Sequence, residues 1–156
     1  ELDAAQATQF AARYRHHYFT YEDQLGLYAG AHELLKAIAD AGVGLAVATG
    51  KSRLGLARAL KATGLESRFA ATRCADQTHS KPHPAMLQEL MQELQTTPER
   101  TLMVGDTTHD LTMARAAGTP AVGITHGAHT VDQLRALAPA ALVNSLPELQ
   151  QWLLRD

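Results

Sequence analysis

The sequence holds a single cysteine, Cys74, which excludes an intrachain disulfide and fits a reducing, cytoplasmic setting. Neither sign of charge dominates: the formal net charge is −2 and no basic run occurs, so neither nucleic acid nor a membrane surface is an expected partner. No apolar stretch approaches the ~18 residues of a membrane-spanning helix. Repeats and low-complexity segments are absent from the 156 residues. Histidines come close together at His16-His17, His79 with His83, and His126 with His129, but none has a cysteine partner at finger-like spacing, which argues against zinc. What remains is ordinary globular material, 46% hydrophobic and 19% charged, in a chain long enough for one domain with a sizeable core.

Along that chain, Phe10, Tyr14 and Tyr18 recur at four-residue spacing and predict an amphipathic helix over 4–19. The pattern breaks over 20–30, which reads as a linker. From Ala31 onward, short apolar runs alternate with helical stretches. Helices are expected at 31–41, 53–63, 84–95, 109–117, 130–138 and 146–154, with stops at Gly42, Gly64, Gly118 and Pro139. Strands are expected at 43–48, 69–74, 101–105, 121–125 and 141–143. This alternation predicts an α/β fold, a Rossmann-like parallel sheet with helices on both faces. Ligands of such sheets bind beyond the carboxyl ends of the strands, so the chemistry should sit near Thr49, Cys74, Asp106 and Thr125.

Gly50-Lys51-Ser52 has the ending of a nucleotide-binding P-loop, but the pattern needs a glycine at position 45, where the chain has Leu45 inside an apolar run. Too few residues are left to surround two phosphates. Thr49 and Gly50 instead offer a hydroxyl and backbone N–H groups at a helix start, which is either an anion site or an ordinary cap. Asp106 follows a buried strand and Asp110 lies one helical turn on. A carboxylate pair at a strand tip suits Mg2+, while a helix N-cap would account for Asp106 alone. Lys81, ahead of a helix, is either a surface lysine or a cation that neutralises phosphate. Cys74 reads as inert packing, and the Met86/Leu87/Leu90/Met91/Leu94 stripe as helical core.

The order of hydroxyl, lysine and acidic pair on successive strand ends resembles the haloacid dehalogenase superfamily, in its phosphoglycolate-phosphatase-like branch. The resemblance runs from about Leu27 to Leu154 and rests on "LAVATGKSR", "SKPHP" and "GDTTHDLTMARAAG". It implies that Thr49 and the Gly50 amide bind a phosphoryl group. It also implies that Lys81 steadies the nucleophile and the transferring phosphate. Asp106 would bind Mg2+, with Asp110 supporting the metal shell. The activity implied is hydrolysis of a small phosphate monoester through an aspartyl-phosphate; a sugar-phosphate phosphatase, a phosphomutase and a non-catalytic phosphate- or metal-binding module are the alternatives. Many relatives read Thr-Asn-Lys-Pro where this chain has Thr49-Gly50-Lys51-Ser52, a departure that bears on the substrate.

Family enzymes carry their nucleophile in Asp-x-Asp-Gly-Thr. The eight aspartates here are Asp3, Asp23, Asp40, Asp76, Asp106, Asp110, Asp132 and Asp156, and no two are separated by a single residue. With Glu1 as its first residue, the chain is expected to be a fragment: residues 1–26 a remnant of a helical cap and linker, and 27–156 the α/β core without its first strand. That strand would lie between those ending at Thr49 and Asp106. On this expectation the chain alone is inactive, and the open edges invite strand exchange or association with the missing segment.

Overall fold

In the computed structural model the described residues are 26–155, together with Asp3, Gln6, Gln9, Phe10 and Arg13. Gln6, Gln9, Phe10 and Arg13 are helical, and Asp3 and Gln6 exchange hydrogen bonds between backbone N–H and side chain. Tyr14, Tyr18 and the His16-His17 pair lie outside the described residues.

From Ala31 the elements run α1 (Ala31–Asp40), β1 (Ala46–Thr49), α2 (Arg53–Thr63), β2 (Ala71–Cys74), α3 (Ala85–Glu93), a 3-10 turn (Pro98–Arg100), β3 (Met103–Gly105), α4 (Thr108–Ala117), β4 (Ala121–Ile124), α5 (Val131–Arg135), β5 (Ala141–Val143) and α6 (Leu146–Leu153). The order is the one expected, but several boundaries shift: β2 starts at Ala71 rather than 69 and β3 at Met103 rather than 101, and three other shifts have a visible cause. Strand β1 starts at Ala46 rather than residue 43, because Val43 donates its N–H back to the Ile38 carbonyl and so still closes α1. Helix α3 stops at Glu93 because Gln95 takes a positive φ of 51° and the Thr96 N–H returns to Met91. Helix α5 ends at Arg135 rather than 138. Ala138, with φ 50°, precedes Pro139, whose ring disfavours a helical residue before it.

All strand pairings are parallel, but they fall into two sheets, β1-β2 and β3-β4-β5. Two apolar clusters flank them. Met86, Leu87 and Met91 of α3 pack with Leu111, Met113 and Ala114 of α4 and Leu134 of α5 on one face; Leu34 and Ile38 of α1 and Leu149 of α6 cover the other. Along β4 the faces alternate, with Ala121 joining the first cluster and Val122 and Ile124 the second, as a strand's two-residue period requires. Just before β1, Leu45 packs on the second cluster, while Ala48 packs on the first. Strand β1 therefore occupies the same layer as β3–β5. Among the described residues no strand pairs with the free edge of β3, and Val104 at its centre is 36% exposed despite its position inside an α/β layer.

Candidate active site

The turn after β1 is short. Thr49 is the last residue of the strand, its Oγ1 accepts the Lys51 N–H (3.1 Å), and Ser52 caps α2 by accepting from the Gly55 N–H (3.2 Å). Two backbone N–H groups fasten this turn to the segment after β2: the Ala75 N–H donates to the Lys51 carbonyl, and the Arg53 N–H to the Asp76 carboxylate at 2.9 Å. A methyl group added at Gly50 would meet nothing within 4 Å, so the space above the turn is open. Three residues cannot wrap two phosphates, and one helix start with open space above it can receive a single anion.

Strand β3 ends at Gly105, and Asp106 follows. The helix N-cap is Thr107, not Asp106: the Thr107 side chain accepts the Asp110 N–H, while Asp110 Oδ2 accepts the Thr107 N–H at 3.1 Å and its hydroxyl at 2.7 Å. That frees the Asp106 carboxylate from a capping role. Its Oδ2 accepts the Ala128 N–H at 2.9 Å, and its carbonyl accepts the His129 N–H. The loop after β4 thus grips Asp106. This loop is itself tied to the residue after β5 by Thr125 Oγ1 donating to Asn144 Oδ1, and to α4 by the Thr108 N–H donating to His129 Nδ1 at 3.0 Å. His129 Nδ1 is accordingly the unprotonated ring nitrogen.

Two glycines are fixed by these contacts. A Cβ at Gly105 would lie 2.3 Å from the Asp110 Cβ, and one at Gly127 would lie 2.1 Å from the Asp106 Cβ. Any side chain at either position collides with a carboxylate-bearing residue whose backbone is already bonded.

Lys81 stands in the loop between β2 and α3, preceding a cis Lys81–Pro82 bond. Its Nζ lies 2.5 Å from Asp110 Oδ1. Asp110 is 3% exposed, so a nearly buried carboxylate is held on one oxygen by a cation and on the other by Thr107. The structure therefore joins Lys81 to Asp110 directly and leaves Asp106 to the β4 loop. Among the described hydrogen bonds none links Thr49 to these three; it shares only the carboxyl edge of the parallel layer. Cys74, at the tip of β2, is fully buried, and burial pushes its thiol pKa up, which keeps it protonated and unreactive. An open cavity of about 400 Å3, lined by Val43, Leu45, Arg68, Phe69 and Ala70, lies at the opposite end of β1 and contains no carboxylate or histidine.

As for a metal, no three His, Cys, Asp or Glu side chains converge among the described residues. The donor set is two carboxylates, of which Asp110 has both oxygens engaged and Asp106 uses one oxygen for a single N–H. That fits Mg2+, which takes one or two protein carboxylates and completes its shell with waters and phosphate.

Several residues around the site were not singled out by sequence reasoning, namely Thr107, Ala128 and the Thr78–Glu89 pair, and His129 was weighed only with His126 as a zinc pair. Only Thr107 had a signal, the Thr-x-x-Asp spacing of a capping box.

Residues 2–124 match the family of haloacid dehalogenase-like hydrolases. A protein of Dickeya dadantii named "Probable phosphatase IndB" is 43% identical over 124 residues, covering 79% of this chain and 54% of that protein. The chain thus spans about half the length of that relative. Pyrophosphatase PpaX of Halalkalibacterium halodurans is 31% identical over 150 residues, covering 95% of this chain and 70% of its own. Among solved structures, a predicted phosphoglycolate phosphatase from Haemophilus somnus superposes with a TM-score of 0.87 at 25% identity, covering 98% of this chain and 69% of that one. The chain belongs to the haloacid dehalogenase-like hydrolase family.

Proposed function

We propose that this chain is the α/β core of a Mg2+-dependent phosphatase that hydrolyses a small phosphorylated metabolite, phosphoglycolate-like in size and charge. The observation that carries the reading is the Lys81–Asp110 ion pair set behind the strand tip that bears Asp106. A buried carboxylate fixing a lysine at the mouth of a parallel sheet has the makings of a phosphate site.

In this reading Thr49 and the Gly50 N–H hold the phosphoryl oxygens from the β1 turn. Lys81 neutralises their charge, and Asp110 keeps the ammonium in place. Asp106 is the direct metal ligand, with Asp110 supporting it from behind. When bound, Mg2+ neutralises phosphate charge and orients the ester. The Ala128 N–H keeps the Asp106 carboxylate turned toward the site.

The nucleophile is the part not found on these 156 residues. The split between β1 and β3, whose apolar faces lie in one layer, supports a place for one more parallel strand there, with its tip between Thr49 and Asp106. A strand ending in Asp-x-Asp-Gly-Thr would bring the carboxylate that forms an aspartyl-phosphate, and a second carboxylate as general acid and base. On this reading residues 1–26 are a remnant of a helical cap with its linker, and 27–156 are the core.

The test is hydrolysis of p-nitrophenyl phosphate, phosphoglycolate and pyrophosphate with Mg2+, by the chain alone and after addition of a peptide with that motif on an apolar strand. The reading expects no turnover from the chain alone and Mg2+-dependent turnover with the peptide, lost in Asp106→Asn. Turnover by the chain alone would put the nucleophile elsewhere. Phosphate and Mg2+ binding without turnover in any reconstituted form would favour a non-catalytic binding module.

A further inference from the structure

Lys81 is pinned at its tip by Asp110, but a lysine on a loop is only as fixed as the loop. The segment from Ala75 to Pro84 connects β2 to α3, and its first residues are held by local bonds: Gln77 N–H to the Cys74 carbonyl, and Cys74 N–H to Gln77 Oε1 at 3.1 Å. Its long-range side-chain bonds among the described residues are Asp76 to the Arg53 N–H, Thr78 to Glu89 and Lys81 to Asp110, and the last two hold the stretch nearest Lys81.

The second of these is part of a larger arrangement. Thr78 Oγ1 donates to Glu89 Oε1 at 2.5 Å, and the other oxygen of the same carboxylate takes Arg73 Nε at 2.7 Å. Arg73, on β2, reaches Glu93 one turn further along α3 at 2.7 Å. One carboxylate on α3 therefore grips both a strand and the loop, three residues ahead of Lys81.

We propose that Glu89 is a positioning residue for Lys81: by holding Thr78 and Arg73 together it sets the loop so that the lysine amine meets Asp110. Glu93 shares the arginine but, among the described residues, makes no hydrogen bond or ion pair to the loop, which gives the molecule an internal control. Loss of the arginine pair alone should leave Lys81 in place, whereas loss of the Thr78 contact should let it wander. Only the consequence for phosphate binding rests on the proposed phosphatase reading.

The primary readout is competitive acylation of lysines followed by mass spectrometry, which needs no ligand. Lys81 is 19% exposed and engaged, whereas Lys61 on α2 is exposed and serves as reference. Thr78→Val and Glu89→Gln should each raise the Lys81 labelling rate about fivefold relative to Lys61, and the double variant should add little, as for two residues in direct contact. Glu93→Gln should leave the ratio unchanged. Unaltered labelling in both loop variants, or an equal rise in Glu93→Gln, overturns the proposal, with circular dichroism confirming that each variant is folded. Inorganic phosphate affinity is the second readout, expected to fall by a similar factor. If labelling rises while phosphate binding is absent or indifferent to Lys81→Met, the positioning role stands and the phosphatase reading falls.

Discussion

Replacing Asp110 with asparagine removes one charge from a site that is 3% exposed and keeps the shape of the side chain. Asparagine can still accept from Thr107 with its oxygen, so the helix cap survives. The amide then turns its N–H2 toward the Lys81 ammonium, a donor facing a donor where a carboxylate stood 2.5 Å away. Breaking a fully buried pair by removing one partner costs ~3–5 kcal/mol. Lys81, with a fifth of its side chain exposed, can rehydrate, so the expected cost falls at or below the foot of that range, ~2–3 kcal/mol, or a Tm lower by about 6–10 °C for a chain of this size. Urea unfolding read by fluorescence of the single tryptophan, Trp152, which packs beside the α1/α6 cluster, measures it. In a Lys81→Met background the same substitution should be nearly neutral, a coupling of ~2 kcal/mol in the double-mutant cycle. Additive costs, with coupling under ~0.5 kcal/mol, would refute the view that Asp110 is held chiefly by Lys81.

Two further outcomes follow from the same geometry. Gly127→Ala drives a methyl group into Asp106, at 2.1 Å from its Cβ, and should cost ~1–3 kcal/mol, whereas Gly50→Ala points into open space and should stay within ~0.5 kcal/mol; equal costs by urea unfolding would contradict the crowding at Asp106. The Glu89 carboxyl is held below its usual pKa, first by the Thr78 hydroxyl and then by Arg73. A carboxyl with a depressed folded pKa contributes stability that is fully present above the unfolded value of about 4.3 and is lost as pH falls through the folded one. The stability gap between the wild type and Glu89→Gln should therefore be constant near neutral pH and close below about pH 4.3; a gap that widens on acidification would contradict the assignment.

Much of the fold was legible because strands and helices here carry local signals. Short apolar runs end in Thr49 and Gly105-Asp106, and glycines or a proline close the helices between the strands. Boundaries slipped where a helix-end bond or a positive φ decided them, as with Val43, whose N–H completes α1 rather than starting β1. Asp106 and Asp110 were legible as a pair, since four residues apart at a strand tip is a spacing one can read. What each carboxylate is bonded to was not. It depends on Thr107 taking the cap, and on the Ala128 N–H arriving from 22 residues away. Glu89 is 16 residues from Arg73 and 11 from Thr78 and sits on a helix whose apolar stripe dominates its pattern; nothing periodic in the sequence marks it.

The proposed function requires that Thr49-Gly50, Lys81 and Asp106 form one phosphate and metal site. It is tested most directly by titrating the chain with inorganic phosphate, with and without Mg2+, while following the backbone amides of Gly50 and Lys51 and the Lys81 ammonium by NMR. The account predicts that these three signals move together with one dissociation constant, that Mg2+ tightens it, and that Asp106→Asn abolishes the Mg2+ effect while leaving the fold intact. Shifts confined to another surface, such as the Arg68 cavity at the far end of β1, or a Mg2+ effect that survives Asp106→Asn, would contradict it.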